Sequence, residues 1–172
     1  MPAPIEIVDY DPLWPRLFAE ERERLLALIG PWLNGPVEHI GSTAVVGLRA
    51  KPVIDIMAGV ESLESSRGAI QLLGGLQYNY WPYKADVMHW FCKPSSEVRT
   101  HHLHLVPVGS ALWSERLAFR DRLRSDESAR KVYAALKEEL AVRFKHDREA
   151  YTEGKTDFVR RMVAKPSSSG LR

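Results

Sequence analysis

Apolar residues recur along this chain with two different periods, and the change between them marks out its elements. Residues 5–8 form a short apolar run that reads as an edge strand. Asp11-Pro12 then opens a helix, with Asp11 as N-cap and Pro12 at the first helical position. Within it Trp14, Leu17, Phe18, Leu25, Leu28, Ile29 and Trp32 repeat at helical spacing, while Glu and Arg fill the opposite face. Gly30-Pro31 and Asn34-Gly35-Pro36 end it. The spacing predicts strands over 37–40 and 53–60, separated by a turn of small residues over 41–52. A helix over 63–73 follows, stopped by Gly74-Gly75. From 76 to 108 the chain is rich in strand formers (Tyr78, Tyr80, Trp81, Val87, Trp90, Phe91), interrupted near Pro82 and Pro94.

Beyond residue 110 the period becomes helical throughout. Segments 111–123, 127–144 and 148–163 read as three helices with no strand between them, the middle one seamed by Val132, Leu136 and Leu140. The pattern predicts an α/β or α+β domain: a sheet flanked by helices over about 1–109, and a helical part over 110–164. The tail 165–172, with three serines and a glycine, is expected to be disordered. A length of 172 residues suits one domain over 1–164. The charged share of 27% and a net charge of +2, without a basic block, argue against nucleic acid or an anionic membrane as partner. The single cysteine, Cys92, excludes an internal disulfide and reads as a strand residue rather than a nucleophile. No apolar run reaches membrane-spanning length and the first residues carry no secretory pattern, so the cytoplasm is the expected location.

Candidate chemistry concentrates between residues 38 and 56. A strand ending in Gly41-Ser42-Thr43 before a possible helix start offers backbone N–H groups and hydroxyls to an anion. The same tripeptide is also an ordinary N-cap. Asp55, flanked by Val53, Ile54 and Ile56, is a carboxylate inside an apolar strand, costly unless a metal, a cation or a hydrogen-bond donor meets it. Lys51, just ahead of that strand, reads equally as a phosphate contact or as a surface lysine.

Gly-Ser followed by twelve residues and an Asp in an apolar strand is similar to the signature of the nucleotidyltransferase superfamily. The longer string Glu38-His39-Ile40-Gly41-Ser42-Thr43, the Val45-Val46-Gly47-Leu48 turn and Lys51-Pro52-Val53-Ile54-Asp55-Ile56 resembles the GrpB branch of that superfamily. Asp9 to Pro12 with Trp14 and Phe18, His102-Leu103-His104, Phe119-Arg120-Asp121, Tyr133 with Lys137, and Tyr151 with Lys155 and Phe158 extend the resemblance over about 5–160. Val46 replaces the proline common in that turn. The resemblance implies a nucleotidyltransferase-like fold and a nucleotide or phosphorylated small molecule as ligand. It further implies nucleotidyl transfer with a divalent ion, Mg or Mn, at Asp55. In the same light Arg120, Lys137 and Lys155 are candidates to lean over the sheet and bind phosphate, or else ion-paired residues of solvated helices.

Strand parity qualifies that expectation. Asp55 and residue 57 share a face, and the second acid of the superfamily would stand at 57; this chain has Met57. On the following strand His102 and His104 share a face, about 7 Å apart. One carboxylate with two imidazoles suits a transition metal such as Zn better than Mg. Asp55, His102 and His104 are therefore a candidate mononuclear site beside Gly41-Ser42-Thr43, the alternative being histidines that hydrogen-bond Asp55 or touch phosphate without a metal. His39, His89, His101 and His146 read as structural, and Glu38 and Asp86 as spare carboxylates. Three functions fit: nucleotidyl transfer, a metal-dependent phosphoester enzyme using Asp55/His102/His104, or a non-catalytic nucleotide-binding module. Without a Gly-x-x-x-x-Gly-Lys-Ser/Thr loop, a P-loop kinase is excluded.

Overall fold

In the computed structural model, which describes residues 3–164, a five-stranded mixed sheet is covered by helices on both faces. Its strands are β1 (Leu33–Ile40), β2 (Ile54–Val60), β3 (Asn79–Trp81), β4 (His89–Pro94) and β5 (Arg99–Pro107), in the spatial order β1-β2-β5-β4-β3. Only β2 and β5 run parallel; the other pairs are antiparallel. The helices are α1 (Trp14–Ile29), α2 (Arg67–Leu73), α3 (Ala111–Ser125), α4 (Glu127–Arg143), α5 (Arg148–Glu153) and α6 (Thr156–Ala164). Among the described residues no helix is long and apolar enough to cross a membrane. The tail read as disordered, 165–172, lies outside the described residues.

Strand alternation gives the sheet two unlike faces. Ile54, Ile56, Ala58, Leu103, Leu105 and Phe91 point to one side and pack against Trp14, Leu25 and Ile29 of α1 and Leu73 of α2. At about 25 cal/mol per Å² of apolar area, this cluster is the main source of stability. The opposite face carries Met57, Cys92, Val106 and Ile40, covered by Trp113 of α3, and beyond them lies open space. The C-terminal helices build a separate core from Phe119, Leu123, Tyr133 and Phe158 that closes on Val45 and Leu48.

Several sequence boundaries shift. Residues 5–8 add no strand to the sheet; Val8 makes one isolated bridge to Ala50. Helix α1 begins at Trp14, with Pro15 in its first turn, while Asp11 accepts a hydrogen bond from Leu13 N at 2.9 Å and caps the turn before it. Asn34-Gly35-Pro36 is not a turn but part of β1, tolerated because β1 is an edge strand and its register slips between Leu33 and Val37. The segment 148–163 is two helices, split at Gly154, where a side chain would collide with Leu140 at 2.6 Å. Glu21 does not sit on the solvated face of α1. It is buried, accepting from Tyr78 Oη at 2.8 Å and pairing with Lys93.

Candidate functional site

The open face of the sheet borders a cavity of about 490 Å³, the size of a small-ligand site. Its floor follows from register. Ile40, Asp55, His102 and Cys92 are neighbours in one row across the sheet, and Glu38, Met57, His104, Trp90 and Trp81 form the next. Parity thus puts Asp55, His102 and His104 on one face, and β2–β5 pairing sets Asp55 directly beside His102.

Both imidazoles lie against the Asp55 carboxylate. His102 Nδ1 lies 2.9 Å from Asp55 Oδ1, and His104 Nε2 lies 3.8 Å from the same oxygen. Burial alone pushes the Asp55 carboxyl up, but the hydrogen bond from His102 and the nearby His104 imidazole hold it well below the usual carboxylate range. Burial pushes both imidazoles down, His104 to about 4, so a neutral His102 donating Nδ1–H to an ionised Asp55 satisfies the pair. That tautomer leaves His102 Nε2 with a lone pair. Both Nε2 atoms, of His102 and of His104, are buried without a hydrogen-bond partner. A three-ligand metal centre needs its donors aimed at one point rather than bonded to each other. Among the described residues no group of three His, Cys, Asp or Glu is arranged to hold an ion. The arrangement fits a hydrogen-bonded carboxylate–imidazole pair better than a mononuclear centre, and Met57, fully buried in the α3-side core, adds no second acid.

The Gly41-Ser42-Thr43 turn departs from its sequence reading. No α-helix starts there; Ser42–Ala44 is one 3₁₀ turn, so this turn presents no α-helix N-terminus to the cavity. Gly41 has φ +72°, and a Cβ on it would stand 2.7 Å from Asp55 Oδ2. The missing side chain admits the Asp55 carboxylate, not a phosphate. Thr43 spends its hydroxyl internally, on His39 Nε2 at 2.9 Å and Val53 O at 3.3 Å. Ser42 lines the cavity, with its Oγ receiving a hydrogen bond from Lys137 Nζ at 2.9 Å.

Lys51, Lys137 and Lys155 all reach the cavity, from the segment before β2, from α4 and from the α5–α6 junction. Among the described residues none of the three has a carboxylate partner. Their surroundings are hydroxyls, carbonyls and ring faces: Lys137 also donates to Arg49 O, and Lys51 and Lys155 lie over the Tyr151 ring at 5.4 and 4.4 Å. Burial pushes Lys137 and Lys155 down to about 7, helped for Lys137 by Lys155 and for Lys155 by Lys51. Arg120 is a correction. It does not line the cavity, because its guanidinium is taken by Glu38 at 2.5 Å and Asp121 at 2.9 Å, bracing β1 against α3.

Sequence reasoning missed Arg99, Arg116 and Arg148, and the aromatic side chains Trp81, Tyr83 and Trp90. Arg99 has the sequence parity of His101, yet it joins the cavity. The register shifts at Lys93/Pro94, where Lys93 pairs with His101 but Pro94 with Arg99, and the extra residue, Thr100, turns Arg99 to the other face. Arg148 ties α5 to the β4–β5 connection through Ser96 O at 2.7 Å and Glu97 O at 2.6 Å, which closes that side of the cavity.

Residues 4–165 match the family described as GrpB protein. The chain belongs to the GrpB family. It is 39% identical over 166 residues to a UPF0157 protein of Pseudomonas aeruginosa, covering 94% of this chain and 67% of that one. It is 31% identical to the UPF0157 protein YqkA of Bacillus subtilis, covering 91% of this chain but 45% of that protein, so the chain spans less than half of that relative. A crystal structure of conserved protein GrpB from Enterococcus faecalis superposes with a TM-score of 0.82 at 29% identity, over 92% of this chain and 94% of that one. The mixed sheet with its helical C-terminal half is thus the architecture of a GrpB protein.

Proposed function

We propose that this GrpB protein binds a small phosphorylated molecule, with phosphate groups held among Lys51, Lys137 and Lys155 beside the Ser42 hydroxyl. The observation that carries this reading is the convergence of those three lysines, without carboxylate partners among the described residues, on a cavity lined by seven basic and two acidic side chains. A protein gains nothing in stability from burying unpaired ammonium groups, so their retention supports a role in meeting an anion. Met57, in the place of a second acid, favours binding over two-ion nucleotidyl transfer.

Titration calorimetry with tripolyphosphate tests it: micromolar to low millimolar binding is expected, and Lys137→Met with Lys155→Met removes it. No heat above dilution at millimolar anion would end the reading. The unpartnered Nε2 atoms of His102 and His104 favour a second reading, a divalent ion beside Asp55. Asp55→Asn separates the two. If the anion binds to the lysines directly, losing the carboxylate's repulsion strengthens binding in metal-free buffer. If an ion bridges, the same substitution abolishes the dependence on Mn or Zn, and metal analysis of the purified protein shows the ion. Pyrophosphate release from a nucleoside triphosphate would extend the reading to transfer.

A further inference from the structure

Lys51, Lys137 and Lys155 meet the same cavity, but Lys155 is held differently from the other two. It stands alone between α5 and α6, where its backbone N–H bonds Thr152 O at 3.2 Å and its carbonyl accepts from Val159 N at 3.1 Å. From that fixed junction the side chain returns over the ring of Tyr151, one turn earlier, with Nζ 4.4 Å from the ring centre. Lys137, by contrast, donates to Ser42 Oγ and Arg49 O. Lys155 Nζ makes no hydrogen bond among the described residues, and it is not one of their sealed, unpartnered atoms, so the cavity reaches it. A ring face attracts an ammonium but replaces the hydrogen bonds of water poorly. Lys51 over the same ring and Arg116 from α3 add positive charge around Lys155, and Lys137 shares the repulsion. Asp55 pulls the other way, more weakly than burial and Lys51 push. At neutral pH about half of Lys155 is therefore the free amine, against about one in 3,000 for an ordinary lysine.

We propose that Lys155 is an imine-forming amine, and that the ligand is a phosphorylated aldehyde or ketone whose carbonyl carbon bonds to Lys155 Nζ. The choice of a phosphorylated compound rests on the reading above; the reactive amine does not. In the step, the Nζ lone pair adds to the carbonyl carbon as the C=O π pair moves to oxygen. Both amine protons pass to that oxygen, which leaves as water, and a C=N bond to Lys155 remains. The balance needs no oxidant, reductant or second substrate. Lysines freed of their proton by burial and a cationic neighbour serve this chemistry, whereas a lysine kept only to hold phosphate gains from staying charged. Lys137, fixed on Ser42 and Arg49, keeps its hydrogen bonds as a phosphate holder. Lys155 lends the site its charge in one form and a lone pair in the other.

The test incubates the intact chain at neutral pH with glycolaldehyde phosphate and sodium cyanoborohydride, which reduces an imine to a stable amine, and maps the label by peptide mass spectrometry. Label on Lys155 is expected at least about ten-fold above that on exposed Lys131 and Lys145, to be suppressed by tripolyphosphate and to vanish in Lys155→Arg. Label spread evenly over the lysines, or absent from Lys155, while tripolyphosphate still binds by calorimetry, overturns the imine and leaves the phosphate reading standing. Lys155 labelled equally by glycolaldehyde and by its phosphate, with no heat from tripolyphosphate, keeps the amine and ends the phosphate reading. Neither label nor heat ends both. The unaltered chain gives the deciding pattern, so no outcome depends on a variant folding.

Discussion

Lys137 and Lys155 carry most of the functional argument at the scale of single residues. Each ammonium has its pKa pushed from 10.5 down to about 7 by burial and a neighbouring lysine. An anion needs the charged form, so affinity for tripolyphosphate is expected to fall as pH rises through about 7 and to recover on return, which calorimetry at about pH 6 and pH 8 would show. Stability moves the other way. Between about 7 and 10.5 the unfolded chain holds protons that the folded lysines have released, and folding becomes more favourable as pH rises across that window. Lys155→Met, which keeps the stem and removes the charge, is therefore predicted to raise stability by about 1 kcal/mol while weakening phosphate binding. A variant less stable than the parent in urea unfolding would contradict this. The sequence already showed His102 and His104 on one face of their strand, with Asp55 as a candidate partner, because strand parity is local. It could not show that they bond to each other, nor that Arg99 turns toward them, because both depend on how β5 registers against its neighbours.

At the scale of elements, α1 and β4 are joined by a polar contact that a helical-wheel reading places in solvent. Glu21 is 1% exposed, and although burial pushes its carboxyl up, hydrogen bonds from Lys93 and Tyr78 bring it below its usual value. Glu21→Ala would leave the Lys93 ammonium buried without its partner and is expected to cost about 3 kcal/mol, read from the urea midpoint at unchanged slope. A loss under about 1 kcal/mol would mean that Lys93 swings out to water. The periodic apolar stripe of α1 was legible because Trp14, Leu25 and Ile29 repeat at helical spacing. Its buried acid was not, since the base that compensates it lies 72 residues on, in β4. The Gly41 turn is similar: glycine was expected there, but its reason, space for the Asp55 carboxylate, comes from the neighbouring strand.

On the scale of the whole molecule, burial of histidine on both sheet faces makes the fold sensitive to acid. His39 stacks on Phe18 of α1, His104 sits on the cavity floor, and His101 bonds the Thr100 hydroxyl within the field of Lys93 and Arg24; each is pushed down to about 4, with burial the largest cause. Their ordinary value is 6.5, so between about 6.5 and 4 the unfolded chain binds protons that the folded chain refuses. Stability is expected to fall as pH drops through that window, with the melting temperature at pH 5 several degrees below that at pH 7. A melting temperature that holds level or rises there would show these imidazoles open to solvent.

The same division runs through the whole chain. Sequence by itself determined what depends on near neighbours: the helices and most strands, the switch from sheet to helical half near residue 110, the family resemblance, and the shared strand face of His102 and His104. Tertiary structure alone decided what depends on meetings between distant segments. Three lysines from separate segments converge on one cavity, an arginine changes face at a slipped register, Arg120 is diverted to Glu38, and two aromatic side chains stand at the mouth. The physical reason is range: backbone periodicity acts over a few residues, whereas desolvation and charge act through space, among groups that only the folded chain brings together.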